Sequence, residues 1–273
     1  LPTNSGIMRR IKVLLRENCV VGIPRFPHSC SVATTNLTDI IINVTQSSFA
    51  ELGEGQGYAH GNYCNTAAAG VASGKDWRRG GEPYINQMFM MGGGGPASSE
   101  TDGMHYLFTA VGAGVLYRDS IEIDEQRFPI LVKKMHLMED SMGHGRRRGG
   151  QATEVIMGPR KDPIHILHVC NGLESAPIGV RGGTGSKLGE NVRIDREGNE
   201  HPYPAVMVCD LESGELLRAR DQGGGGYGPA IEREPERVLR DVENYIVSEE
   251  VARSVYGVEI VGSRQKDNLS VDL

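Results

Sequence analysis

Between Asp140 and Gly150 the chain sets a carboxylate, a hydroxyl, an imidazole and three guanidiniums within one short run, interleaved with glycines. Glycine allows turns closed to other residues, and Arg forks with backbone N–H groups in such a turn can grip an anion or a carboxylate. A second run, Gly223–Gly226 followed by Tyr227 and Gly228, repeats the theme. His144, inside the first segment, could carry a proton. So could His60, which stands in a polar stretch with Asn62, Tyr63, Cys64 and Asn65 and could meet a substrate.

Other candidates weaken on inspection. His165 and His168 lie three apart in a strand-like run and should point to opposite faces, which disfavours a shared metal. Gly92–Gly95, with Asp102 and Gly103 beyond, lacks the Gly-Lys-Ser/Thr ending of a phosphate loop and reads as a corner where backbones pack closely. Gly182–Lys187 comes nearer to that ending but opens no helix, which favours a hairpin loop. Glu122, Asp124 and Glu125 precede Phe128-Pro129, and an ion network with Arg146, Arg147 and Arg148 is expected there. No nucleophile elbow and no Ser–His–Asp order is visible. No metal ligands are assigned.

The elements that must hold these groups are mostly strands. Ile11, Val13 and Leu15 alternate with polar residues, and strand-like runs follow at 86–91, 105–111, 115–122, 130–138, 152–157, 164–170 and 205–209. Residues 53–83 read as glycine-rich and irregular. Leu37, Ile40, Ile41 and Val44 have helical spacing, with Asn36 as N-cap and an end near Glu51. Pro235 starts a second helix with Val238, Leu239 and Val242 as its apolar stripe. Ser248 caps a third, with Glu249 and Glu250 in its first turn and Gly257 as its stop. A last strand is expected at 258–261. The fold class expected is α+β: strand-rich, mostly antiparallel, with few helices and two short ones near the C-terminus. Residues 1–273 show no internal boundary and read as a single domain.

Composition narrows the function. A formal charge of −6, one Trp and five Phe argue against a nucleic-acid binder. Five scattered cysteines, Cys19, Cys30, Cys64, Cys170 and Cys209, with no paired spacing, point to reduced thiols and a cytoplasmic protein. No apolar run approaches the ~20 residues of a membrane span. The start at Leu1 reads as the middle of a larger protein or as one chain of a split one.

Five segments, in order, resemble the C-terminal half of the hydantoinase B/5-oxoprolinase B family, which includes the large subunits of acetone and acetophenone carboxylases. They are Asn4-Ser-Gly6 with Arg10-Ile11; Met91–Gly95 with Asp102-Gly103; Ile121–Glu125 with Phe128-Pro129; Asp140–Gly150; and Gly223–Gly228 with Arg240-Asp-Val242, Val247-Ser248, Ala252 and Tyr256-Gly-Val258. Met142 and His144 stand where the family has Gly and Pro, and Pro229-Ala230 where Asp-Pro is usual. The resemblance implies a hydantoinase A-type partner with an actin-like ATPase fold, carrying ATP with Mg and phosphorylating an amide or enolate oxygen. It implies a chain or segment holding the family's N-terminal half, where a divalent metal could sit, and a small-molecule substrate; composition already argues against nucleic acid and membrane as partners. Three activities follow: a subunit of an ATP-dependent cyclic-amide hydrolase, a subunit of an ATP-dependent ketone carboxylase, or a non-catalytic scaffold chain. The catalytic residues stay open, with His60 and His144 as candidates. Asp102, Glu122, Glu125, Asp140, Arg146 and Arg148 are expected to shape the site, the arginines holding the glycine corner against Glu122, Glu125 or Asp140.

Overall fold

The computed structural model describes residues 6, 9, 11–27, 36–63, 68, 70–87, 90–107, 120–262, 264 and 269–272. Residues 1–33 and 34–273 form two compact units. In the first, Ile23 N–H donates to the Arg16 carbonyl at 3.0 Å and Arg25 pairs with Glu17. The strand expected over Ile11, Val13 and Leu15 is not formed. Alternation alone cannot hold an extended segment without a neighbour for its amides, and these three side chains are exposed.

The second unit carries two main antiparallel sheets. The strands are β1 (Val71–Asp76), β2 (Glu82–Gln87), β3 (Ile130–Leu137), β4 (Thr153–Pro159), β5 (Ile164–Val169), β6 (Glu190–Ile194), β7 (Glu200–Pro202), β8 (Val206–Leu211) and β9 (Leu216–Arg220). One sheet runs β2-β1-β5-β8 and the other β3-β4-β9-β6-β7, while β10 (Glu259–Val261) and β11 (Ser270–Asp272) form a small ribbon. Period-two burial builds the core. Ile164 and Ile166 of β5 and Cys209 and Leu211 of β8 are fully buried, and they join Val155, Met157, Leu217 and Ala219 of the other sheet in one cluster. The α+β class, mostly antiparallel, is as expected.

Four helices complete the described residues: α1 (Thr38–Ala50), α2 (Ile121–Arg127), α3 (Pro235–Glu243) and α4 (Glu249–Tyr256). The last two match the sequence closely. Val238 and Val242 are buried, the Ser248 hydroxyl accepts from Val251 N–H, and Gly257 ends α4 at φ 69°.

Several expectations are corrected. Asn36 does not cap α1; its amide donates to the Val169 carbonyl at 3.0 Å, and Leu37 holds the cap position. The burial of α1 is also inverted: Asp39 and Asn43 face inward while Ile41, Val44 and Phe49 are exposed. The stretch 53–83, expected to be irregular, contains β1 and the start of β2, joined by a 3-10 turn over Trp77–Arg79. Of the strand expected over 86–91, Met88 and Phe89 lie outside the described residues, and Met90 and Met91 enter the core without strand geometry. Ile121–Arg127 is helical, because Ser120 is extended before it and Glu122 and Asp124 supply an acidic first turn. Of the strand expected over 105–111, only Leu107 is seen bridging, to Gly93; residues 108–119, Asn4, Ser5, Arg10, Cys30, Cys64 and Asn65 lie outside the described residues. Cys19, Cys170 and Cys209 are free thiols. No helix among the described residues is long and apolar enough to cross a membrane.

Candidate functional site

The glycine runs meet one another. Gly94, Gly103, Gly149, Gly150 and Gly224 come together backbone to backbone where the loops after β2, β3 and β9 converge. A Cβ on Gly94 would stand 1.9 Å from the Gly150 carbonyl oxygen, and one on Gly224 would stand 1.8 Å from that of Gly95. The close approach is what the missing side chains permit. Carbonyls take up the amides: Gly94 N–H donates to Gln222 at 2.9 Å, Gly95 to Met104 at 2.7 Å, Gly150 to Gly95 at 3.0 Å, Gly224 to Gly150 at 3.0 Å and Gly143 to Gly224 at 2.7 Å. Gly182–Lys187 joins the same corner rather than forming a hairpin, since Thr184 N–H donates to the His144 carbonyl and Gly226 N–H to Thr184. Amides committed to carbonyls cannot cradle a phosphate, so these runs do not suit a nucleotide.

Behind the corner lies an ion network that the sequence only half revealed. Arg233 grips Asp102 with both nitrogens, at 2.7 and 2.9 Å, and also donates to Asp241 at 2.7 and 3.0 Å. Arg148 donates to the other Asp241 oxygen at 2.9 Å, and its backbone N–H donates to Asp102 at 3.0 Å. Arg148, Arg233 and Asp241 are buried. Burial would raise the Asp102 carboxyl, but the Arg233 hydrogen bonds and the Arg233 and Arg148 charges outweigh it and hold the group below its ordinary value. A cavity of about 260 Å³ opens beside Asp102, Arg233, Arg237, Arg240 and Asp241.

The expected pairings of Arg146 and Arg148 with Glu122, Glu125 or Asp140 are not made. Arg146 pairs with Glu54 and with Glu232. Glu125 accepts from Arg160 at 2.7 Å and from Val132 N–H at 2.8 Å, stapling α2 to β3. Glu122 stays beside Ser120 at the start of α2. Asp140 accepts from Ser248 N–H at 2.9 Å and so ties the Asp140–Gly150 segment to α4. Of the site-shaping set, only Asp102 and Arg148 are brought together. Of their partners, Arg233 was missed and Asp241 was marked only within the Arg240-Asp-Val242 segment, because nothing local shows that carboxylates and guanidiniums will meet after folding.

The two histidines differ in setting. His144 Nδ1 lies 3.0 Å from Tyr256 Oη, the rings are edge to face, and the His144 N–H donates to Thr184 Oγ1. Burial lowers the imidazole and raises the phenol, so a neutral pair packs here. His60 is buried between Tyr63 and Ser47, with Nδ1 2.9 Å from Tyr63 Oη and Nε2 3.0 Å from Ser47 Oγ. Its loop is clamped by α1, where Asn43 Oδ1 accepts from Gly61 N–H at 2.7 Å. That clamp explains why Asn43 faces inward: its side chain serves the loop.

A third polar cluster escaped the sequence entirely. Asp221, at the end of β9, is buried and accepts from Gln222 N–H at 3.0 Å and from the Asn62 side chain. Burial pushes its carboxyl up to about 7. Gln222 in turn accepts from Tyr63 N–H at 3.2 Å, which links this cluster to the His60 loop. His168 is buried as well, its imidazole brought down to about 4 by burial, while His165 lies exposed across the strand. Among the described residues no group of three or more His, Cys, Asp or Glu is placed to hold a metal.

Comparison with known proteins locates the chain. Residues 1–230 match the family model described as hydantoinase B/oxoprolinase. Caprolactamase subunit beta of Pseudomonas jessenii is 32% identical over 74% of this chain, which spans 36% of that protein's length. The crystal structure of ATP-dependent caprolactamase from Pseudomonas jessenii superposes with TM-score 0.62 at 26% identity, covering 75% of this chain and 35% of the other. A nucleotide-free acetone carboxylase structure superposes with TM-score 0.59 at 20% identity, over 78% of this chain and 32% of that one, a likeness of fold.

Proposed function

The chain belongs to the hydantoinase B/oxoprolinase family, and from that premise we propose that it is part of an ATP-dependent enzyme that opens a cyclic amide. The sequence likeness to caprolactamase subunit beta carries this reading. In the proposal the chain acts as the C-terminal portion of a B-type subunit. An A-type ATPase subunit holds ATP with Mg and phosphorylates the amide oxygen. Phosphorylation turns a poor acyl electrophile into one that water can attack. The family's N-terminal half, on the same or another chain, supplies any divalent metal. This chain contributes the wall of the site: the Asp102–Arg148–Arg233–Asp241 network stiffens the glycine corner, and His60 and His144 are the proton-carrying candidates. The assembly is placed in the cytoplasm, where ATP is at hand.

The test is reconstitution with an ATPase partner and the N-terminal portion, followed by assay with caprolactam, hydantoin and 5-oxoproline. The expected result is ADP formed together with ring-opened product, with no need for bicarbonate. ATP turnover that required a ketone and bicarbonate would sink the hydrolase reading in favour of a carboxylase. Full activity in a stable complex lacking this chain would leave only a scaffold role.

A further inference from the structure

The hydrogen bonds around His60 fix the direction of its protons. Tyr63 Oη lies 3.1 Å from the Ala176 carbonyl oxygen, which can only accept, so the phenol donates there. Tyr63 Oη must then accept from His60, which puts the imidazole proton on Nδ1, 2.9 Å away. Burial favours the neutral ring, and Nε2 is left with a bare lone pair. Its partner is Ser47 Oγ at 3.0 Å. The Val44 carbonyl lies 3.1 Å from Ser47 Oγ and takes the Ser48 hydroxyl at 2.7 Å, which leaves it a second lone pair. A Ser47 proton turned there would set two lone pairs against each other across the 3.0 Å to Nε2, so the proton points into Nε2.

Geometry fixes the rest. Ser47 lies one turn beyond Asn43 on α1, and Asn43 holds Gly61 of the His60 loop, so one helix sets both the hydroxyl and the position of its base. His60 N–H donates to the Ile178 carbonyl at 2.9 Å, and its own carbonyl accepts from Gly225 N–H at 2.7 Å, anchoring the backbone to the glycine corner. Ser47 is half-buried, whereas His60 and Tyr63 are buried. A hydroxyl at the surface, a base behind it and an orienting group behind that form the pattern of an activated nucleophile.

We propose that Ser47 is a nucleophile for acyl transfer, with His60 as its general base and Tyr63 as the positioning residue that keeps the His60 proton on Nδ1. Ser47 Oγ bonds to the carbonyl carbon of an activated acyl compound while its proton passes to His60 Nε2. The carbon–leaving-group bond then breaks, and the leaving group takes that proton. Water completes the cycle: its proton goes to Nε2, its oxygen bonds to the acyl carbon, and the ester bond to Ser47 breaks with return of the proton to Oγ. The proposal requires neither ATP nor a partner subunit.

The test treats the full chain, alone and in its assembly, with a fluorophosphonate probe. Ser Oγ bonds to phosphorus, fluoride leaves, and the Ser47 proton is carried off through His60. Peptide mass spectrometry should place the adduct on Ser47 at least ~10-fold over its neighbour Ser48, in line with the usual effect of a positioned base. Ser48→Ala should label as wild type. His60→Gln should lower Ser47 labelling at least ~10-fold. Tyr63→Phe, with its melting temperature monitored, should slow labelling and move the acid limb of its pH profile to lower pH, because the imidazolium loses an acceptor at Nδ1. Equal labelling of Ser47 and Ser48, no adduct on the folded chain, or undiminished labelling in His60→Gln would overturn the assignment. Should His60→Gln not fold, the selectivity for Ser47 over Ser48 in the native chain decides.

Discussion

The five-stranded sheet and the glycine corner hold together by opposite means. In the sheet, Val155, Met157, Leu217 and Ala219 turn inward and are fully buried, while the outer face carries charged residues bridging from strand to strand. Lys134 reaches Glu154, Glu154 meets Arg220, Arg220 and Arg218 share Glu190, and Arg218 reaches Glu200 on the edge strand β7. In the corner there are almost no side chains to pack, and peptide groups lie directly on one another. A sheet of the first kind is specified by residue class, and a related aliphatic can replace another at modest cost. The corner is specified by the absence of an atom, so substitutions there should be all or nothing.

The largest effect should come from adding that atom. Gly94→Ala and Gly224→Ala each drive a methyl into a backbone carbonyl and should destabilise the chain by more than about 4 kcal/mol, with loss of cooperative urea unfolding. Gly198→Ala, in the turn between β6 and β7 at φ 89° with nothing near its Cβ, should cost only about 1 kcal/mol. Equal losses at the two kinds of site would erase the contrast between corner and sheet.

Next comes the network behind the corner. Arg233→Met strands Asp102 and Asp241 with much of their compensation gone, and about 3–5 kcal/mol should be lost in denaturant titration. A loss near zero would show that the corner stands without its ionic backing.

Asp221 sits at the joint between the regions. Its carboxyl is raised from 3.8 to about 7 in the folded chain, so the folded state holds a proton that the unfolded state releases first. Stability contributed by this group is therefore lost as pH rises from about 4 to about 7, by up to roughly 4 kcal/mol. Asp221→Asn should flatten that slope relative to wild type, and unfolding measured at pH 4.5 and 7.5 in parallel checks it. The smallest effect belongs to the rim of the sheet: Glu200→Gln loosens an exposed pair with Arg218, and thermal melting should show the least shift of all these changes.

What the residues reveal in advance follows the same division. Strands β5 and β8 are legible because burial alternates along them and apolar residues mark it, and β3 because it opens on the apolar run Ile130-Leu-Val132. Strand β9, Leu-Leu-Arg-Ala-Arg, and strand β6, Glu-Asn-Val-Arg-Ile, were missed because their outer faces carry the charged ladder and their apolar signal is short. The helices α3 and α4 announce themselves through Pro235, Ser248 and Gly257. Helix α1 is placed correctly, but its faces are reversed, since periodicity counts apolar residues and cannot see that Asn43 is needed inside. At the site, Asp102 and Arg148 are visible as motif residues. Arg233 is not, because 131 residues separate it from Asp102. Of the Ser47–His60–Tyr63 chain the sequence marks His60 and Tyr63 but not Ser47, nor the last link, the backbone carbonyl of Ala176, which carries no side-chain signature.

The glycine corner also bears on the order in which the molecule assembles. Polyglycine has the most freedom to surrender on folding and no side chain to bury in return, and the segments that meet here, near residues 94, 103, 150 and 224, are remote along the chain. Such contacts close late, after the sheets have drawn their ends together, and open as a set. The amides of Gly94, Gly150, Gly224 and Gly225 should therefore exchange with solvent deuterium at a common rate, distinct from that of β4 and β9. The corner would then act as a latch whose closure reports that the whole body is in place.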